Sequence, residues 1–128
     1  MANKFNARKV VVNGMVFDSH KEYERYLQLC LLLRVGKIFK LDRQAVFELI
    51  PAQYEYYERY GKRGNRLKDG RRCIEKACTY KADFVYYDDQ GNHIVEDCKG
   101  YKKGAAYDLF CVKRKLMLSV HGIRVKET

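Results

Sequence analysis

Thr79-Tyr-Lys-Ala-Asp-Phe-Val-Tyr-Tyr87, the run Asp88-Asp-Gln-Gly-Asn92 and the return His93-Ile-Val-Glu-Asp-Cys-Lys99 spell two strands folded back on one another. Aromatic and β-branched residues crowd both arms, and the Asp/Gly/Asn cluster between them is turn chemistry. Residues two apart on a strand share a face, so Asp97 and Lys99 point one way while Glu96 and Cys98 point the other. The same alternation sets Lys81, Asp83, Val85 and Tyr87 against Tyr80, Ala82, Phe84 and Tyr86. Asp83 therefore interrupts an apolar strand, and the hairpin partner brings it toward Asp97 and Lys99. Burying like charges without a counter-ion costs on the order of several kcal/mol per ion. A divalent cation removes that cost, and an exposed cross-strand pair of Asp83 with Lys99 avoids it. Both readings stay open on these residues alone.

Outward from the hairpin, the periodicity predicts a helix from about Ala105 to Val120 with Gly122 as its stop, then a closing strand over 123–126. Toward the N-terminus, Val46-Phe-Glu-Leu-Ile50 is the clearest strand within 37–50, and Pro51 ends it. A helix over about 18–35 stops at Gly36. Its predicted apolar stripe is Tyr23, Tyr26, Leu27, Cys30, Leu31 and Leu33, with Leu29 and Leu32 left over for a second surface such as a dimer contact. Val10 to Phe17 forms a small hairpin around Asn13-Gly14, the pair that suits a type I′ turn. The order is helix, three strands, helix, strand, with the hairpin in front. Its 128 residues form one domain, and a hydrophobic fraction of 47% is ample for a single core.

Charged residues make up 33% of the chain and the net charge is +10, an excess expected of a protein whose partner is a polyanion. Most of it lies in 59–72, where Arg59, Lys62, Arg63, Arg66, Lys68, Arg71 and Arg72 face the single carboxylate of Asp69. The glycines there and the tyrosines before it predict a basic loop or arm over about 51–72 that orders on a phosphate backbone with salt-sensitive affinity. A merely solubilising loop is the alternative. No apolar run approaches the roughly 20 residues of a membrane span, and Met1-Ala2-Asn3-Lys4 does not open a signal peptide. Cys30, Cys73, Cys78, Cys98 and Cys111 form an odd set without a C-x-x-C pair, as expected of reduced thiols in a cytoplasmic protein. Cys73 and Cys78 are not spaced as in a zinc ribbon or finger.

Two further residues bear on chemistry. On a helical wheel Leu109, Val112, Leu116, Met117 and Val120 share a face, and Lys113 lies within that stripe while Arg114 and Lys115 point away. A lysine among core positions either snorkels outward or reaches a buried anion. Glu22, one turn into the first helix, completes a capping box with Ser19 or adds a third carboxylate to Asp83 and Asp97. His20, His93 and His121 are dispersed, and there is no P-loop, G-x-G-x-x-G motif or nucleophile elbow.

Taken together, Phe17-Asp-Ser-His-Lys-Glu22, Ala82-Asp-Phe84 and Glu96-Asp-Cys-Lys-Gly100, followed by helical Lys113, resemble the PD-(D/E)XK nuclease superfamily, most of all its small phage-associated members. The likeness spans nearly the whole chain; one departure is Ala82 where proline would precede the first aspartate. It implies a restriction-endonuclease-like α/β (α+β) core, a mixed sheet flanked by helices. It also implies Mg²⁺, replaceable by Mn²⁺, held by Asp83, Asp97, the Cys98 backbone carbonyl and Glu22, with Lys99 as catalytic lysine and Lys113 in support. The implied activity is metal-dependent DNA endonuclease action. Resolvases of this fold point to branched DNA such as Holliday junctions, cut by a homodimer. A nicking or single-strand nuclease, a non-catalytic nucleic-acid-binding module and a small structural phage protein are the alternatives.

Overall fold

A computed structural model describes residues 8–128; the Met1–Lys4 start read above lies outside them. Strands β1 (Val10–Val12) and β2 (Met15–Phe17) form the leading hairpin, and Asn13 and Gly14 both take positive φ, as a type I′ turn requires. Helix α1 (His20–Arg34) follows. Its N-terminus is capped by Ser19, whose side chain accepts the Glu22 N–H, and Gly36 at φ 79° turns the chain out of its last turn. Strand β3 (Ile38–Ile50) leads into β4 (Gln53–Tyr60) and β5 (Arg66–Glu75), then β6 (Cys78–Asp88), β7 (His93–Asp97), α2 (Ala105–His121) and β8 (Lys126–Glu127).

The main sheet has the order β3-β6-β7-β8, antiparallel except for the parallel β7–β8 pair. It is a mixed sheet, and a helix covers each face. Leu29 of α1 is fully buried with Ile38, Phe84 and Tyr86, while Phe110 and Met117 of α2 pack with Leu49, Tyr80, Ala82, Val85, Val95 and Val125. Among the described residues no helix is long and apolar enough to cross a membrane.

Four expectations are corrected. The α1 stripe is rotated: Leu29 is in the core, whereas Leu27 and Leu31 are exposed. Leucine occupies so much of this helix that spacing alone does not select a face. On α2 the buried positions are Phe110 and Met117, one heptad apart, and Leu109, Val112 and Val120 face solvent. Arg114, expected to point away, reaches Glu127 at 3.3 Å. The supposed arm is a second sheet, the antiparallel ribbon β4–β5, closed by a turn in which Gly61 N–H donates to the Asn65 carbonyl at 2.8 Å.

The fourth correction positions the site. Tyr80 and Ala82 pack beneath α2, but Phe84 and Tyr86 pack beneath α1, so β6 changes faces at Asp83. Strand β3 does the same at Gln44: Leu41 belongs to the α1 side, and Ala45 and Phe47 to the α2 side. The pairs Arg43↔Phe84 and Ala45↔Ala82 set Gln44 opposite Asp83 without loss of register. Gln44 has φ 57°, a left-handed conformation costly for a residue with a Cβ. Both strands step at one point, and simple alternation fails there.

Candidate active site

The step opens a cleft of about 730 Å³ whose lining includes Asp18, Glu22, Gln44, Asp83, Asp97 and Lys99. Strands β6 and β7 pair Phe84 with Glu96, and continuing that register by one residue sets Asp83 beside Asp97. Asp83 Oδ2 accepts the Cys98 N–H at 2.8 Å. Asp97 is 5% exposed; Tyr80 donates its hydroxyl to Oδ2 at 2.6 Å, and Lys99 Nζ lies 3.1 Å from Oδ1. The same ammonium stands 4.1 Å from the centre of the Phe110 ring, so one cation is held by a carboxylate and an aromatic face.

Glu22, 2% exposed, enters from α1. Its Oε2 accepts the Asp18 N–H at 2.9 Å, and its Oε1 accepts from the Gln44 amide at 3.1 Å, with Arg43 Nη2 3.9 Å away. The capping reading and the cleft reading of Glu22 therefore both hold in geometry. Ser19 caps the Glu22 N–H at 3.1 Å, while the Glu22 carboxylate reaches back one residue further than a standard capping box would take it. Lys21 donates to the Lys99 carbonyl at 2.9 Å and ties the start of α1 to the end of the hairpin.

Electrostatics in this cleft is dominated by crowded acid. Burial, then the neighbouring Asp97 charge, pushes Asp83 from 3.8 up to about 8, against the opposing pull of the Cys98 N–H. Glu22 is also raised, chiefly by burial. Burial and the Asp97 charge drive the Tyr80 phenol far above its ordinary value, so it remains a donor to Asp97.

Ligand oxygens of Asp18, Glu22 and Asp83 all lie within 4.8 Å of one another. Hard carboxylate oxygens converging in a site where protonation is the alternative to repulsion fit Mg²⁺ or Mn²⁺. Asp18 does not stand out as a ligand in the sequence, because it sits just before the helix cap and reads as a start signal. Gln44 carries no sequence signal at all. Lys113 is half-buried on α2 and is not among the residues lining the cleft.

On the opposite face of β7, Glu96 is fully buried. Arg25 of α1 grips it with two bonds, at 2.6 and 2.8 Å, and Tyr86 donates a third. Burial alone would raise the Glu96 carboxyl, but the Arg25 and Tyr86 hydrogen bonds outweigh it and hold the group below its ordinary value. This strut fixes α1, and with it Glu22, against the strand that carries Asp97. Cys98 lies beside Thr128, 3.2 Å from its hydroxyl, and burial pushes the thiol up to about 11. All five cysteines are free, Cys73 exposed and Cys78 half-buried.

The seven cations of the sequence-predicted arm lie on the β4–β5 ribbon and its turn. Arg72 pairs with Glu55 at 2.6 Å and Arg66 with Asp69 at 2.8 Å.

A family described as "Protein of unknown function (DUF1064)" matches residues 2–124. No curated protein and no solved structure matches the chain.

Proposed function

The chain belongs to the DUF1064 family, and we propose that its cleft is the active centre of a metal-dependent DNA endonuclease with a restriction-endonuclease-like core. The observation that carries this reading is the convergence of Asp18, Glu22, Asp83 and Asp97 on one cleft with the Lys99 ammonium among them. A purely structural role does not account for it. Lys99 offsets Asp97, and Arg43 lies near Glu22. Asp83, however, is half-buried beside Asp97 with no cation in ion-pair contact among the described residues, which lowers the stability of the fold until something positive joins it.

In this reading Asp18, Glu22 and Asp83 would hold Mg²⁺, with Asp97 and the Cys98 main-chain carbonyl as the further oxygen donors the cleft would offer. A bound dication makes hydroxide available near neutral pH and offsets charge building on the phosphate oxygens. Asp97, itself fixed by Tyr80, positions Lys99, whose ammonium orients the attacking water or neutralises the pentacovalent phosphorus centre. The Cys98 N–H fixes one Asp83 oxygen, and the same carboxyl group also meets Asp97 side chain to side chain. The net charge of +10 brings the polyanionic substrate to the protein. Branched DNA is the substrate class the sequence resemblance favours, with two copies of the chain cutting two strands.

Supercoiled plasmid and a synthetic four-way junction, each incubated with Mg²⁺, Mn²⁺ or EDTA, test the proposal. Cleavage is expected with either metal and not with EDTA. Lys99→Ala is expected to slow it by about 10²–10³-fold, the scale of losing one electrostatic group at a transition state. Binding of these DNAs by the parent protein without any cutting under either metal would falsify the enzyme reading and favour a non-catalytic module of the same fold.

A further inference from the structure

The ribbon β4–β5 is a two-stranded sheet of its own, and nearly every residue in it is exposed. Two-stranded hairpins in water are marginal unless something else holds them. Here cross-strand side chains do so. Arg71 lies over the Tyr54 ring at 4.3 Å, Arg72 over Tyr57 at 5.4 Å and Arg66 over Tyr60 at 5.8 Å. The Tyr57 ring lies across β5 over Gly70, where a Cβ would sit 2.3 Å from it and push the ring aside.

Charge is distributed unevenly along this ribbon. Every ion pair within it, among the described residues, uses Arg66 or Arg72. Arg59, Lys62, Arg63 and Lys68 have no carboxylate partner there, and all four lie at or beside the turn end, where Tyr60 pairs with Arg66 and Arg59 with Leu67. By charge count the base cancels, Arg71 and Arg72 against Glu55 and Glu75, whereas the tip over 58–69 sets five cations against Glu58 and Asp69, and Arg66 alone takes both of those carboxylates. At about 3.3 Å per residue, the eight residues of β4 project roughly 26 Å, and a duplex major groove is wide enough to admit a two-stranded ribbon.

We propose that the β4–β5 ribbon is a duplex-DNA grip whose tip cations, Arg59, Lys62, Arg63 and Lys68, touch phosphates while the strands lie in a groove. This deepens the nuclease reading, on which the choice of DNA as the polyanion rests. Duplex is favoured over single strand because Tyr54, Tyr57 and Tyr60 already carry arginines on their faces. Those rings stiffen the ribbon rather than offering free platforms for unpaired bases.

Anisotropy titrations of a short duplex and the matching single strand, in EDTA across about 50–200 mM salt, separate binding from cutting. The quadruple variant R59Q/K62Q/R63Q/K68Q is expected to bind duplex at least tenfold more weakly near 100 mM salt. Its log–log salt slope should fall by about 0.9 for each phosphate the ribbon no longer neutralises. Lys115→Gln, which removes an exposed cation of α2 outside both the ribbon and the cleft lining, should change duplex affinity less than twofold. If the quadruple variant does not fold, Lys62→Gln with Arg63→Gln alters only the exposed turn and should give about half the change in slope. An unchanged slope, equal losses from Lys115→Gln and the tip variants, or tighter binding to single strands overturns the proposal. Cleavage by the parent alongside an unchanged slope rejects the grip and spares the nuclease. A tip-dependent duplex slope in a parent that cuts nothing does the reverse.

Discussion

Replacing Asp83 by asparagine is expected to abolish metal-dependent cleavage, by at least about 10³-fold, while making the metal-free protein more stable at alkaline pH. The two effects have one cause. Burial and the Asp97 charge hold Asp83 at about 8 rather than 3.8. Between those values the folded protein keeps a proton that the unfolded chain has released, so stability falls as pH rises and levels off above about 8. Asparagine carries no charge and still offers the Cys98 N–H an acceptor. The variant therefore escapes this fall and should melt above the parent at pH 9, by on the order of 5 °C at a few degrees per kcal/mol. Added Mg²⁺ should raise the parent's melting temperature more at pH 8.5 than at pH 6, because protons compete with the ion for Asp83. It should do little for the variant. Melting curves with and without Mg²⁺ at both pH values, run beside plasmid cleavage, check the whole set. A variant that cuts like the parent, or that melts lower at pH 9, removes Asp83 from the role assigned to it.

Arg25→Ala should destabilise the fold by about 3–5 kcal/mol, because it strands Glu96 as an unpaired charge in the core. In a domain of this size the loss corresponds to a fall of roughly 10–20 °C in melting temperature. In the parent Glu96 is held below 4.5, so its contribution is present above that value and disappears as pH drops through the lower, folded one. Without Arg25 the carboxyl rises instead, and its cost grows with pH. The gap between parent and variant should therefore widen from about pH 4 toward neutrality. Arg25→Met combined with Glu96→Gln leaves no stranded charge and keeps an acceptor for Tyr86, so most of the lost stability should return. Urea or thermal unfolding of the three proteins across this pH range measures it. A loss below 1 kcal/mol for Arg25→Ala would show that the strut is not what fixes α1 to β7.

The leading hairpin was legible because Asn13-Gly14 is a turn signal that depends on two residues and nothing else. The hairpin holding Asp83, Asp97 and Lys99 was legible for a similar reason: strand-forming arms around a compact turn. Helix positions could be read but their faces could not. In α1 leucines point in several directions, and only the tertiary fold selects Leu29 over Leu27 and Leu31. The ribbon was missed because it has no buried face. Its strands alternate nothing apolar, and it is held by Arg–Tyr and Arg–Glu pairs across the two strands, which in one dimension resemble a charged loop. The cleft was half legible. Asp83, Asp97 and Glu22 stand in recognisable motifs, whereas Asp18 hides behind a helix cap and Gln44 enters through a backbone step that no local pattern announces.

Ile50 and Cys78, where the chain leaves the main sheet and returns to it, are ladder partners. Everything between them hangs from a single doorway. Lengthening, trimming or exchanging that excursion changes what the protein reaches for without disturbing the spacing around Asp83. Reach and chemistry are thus free to be varied separately within one small chain.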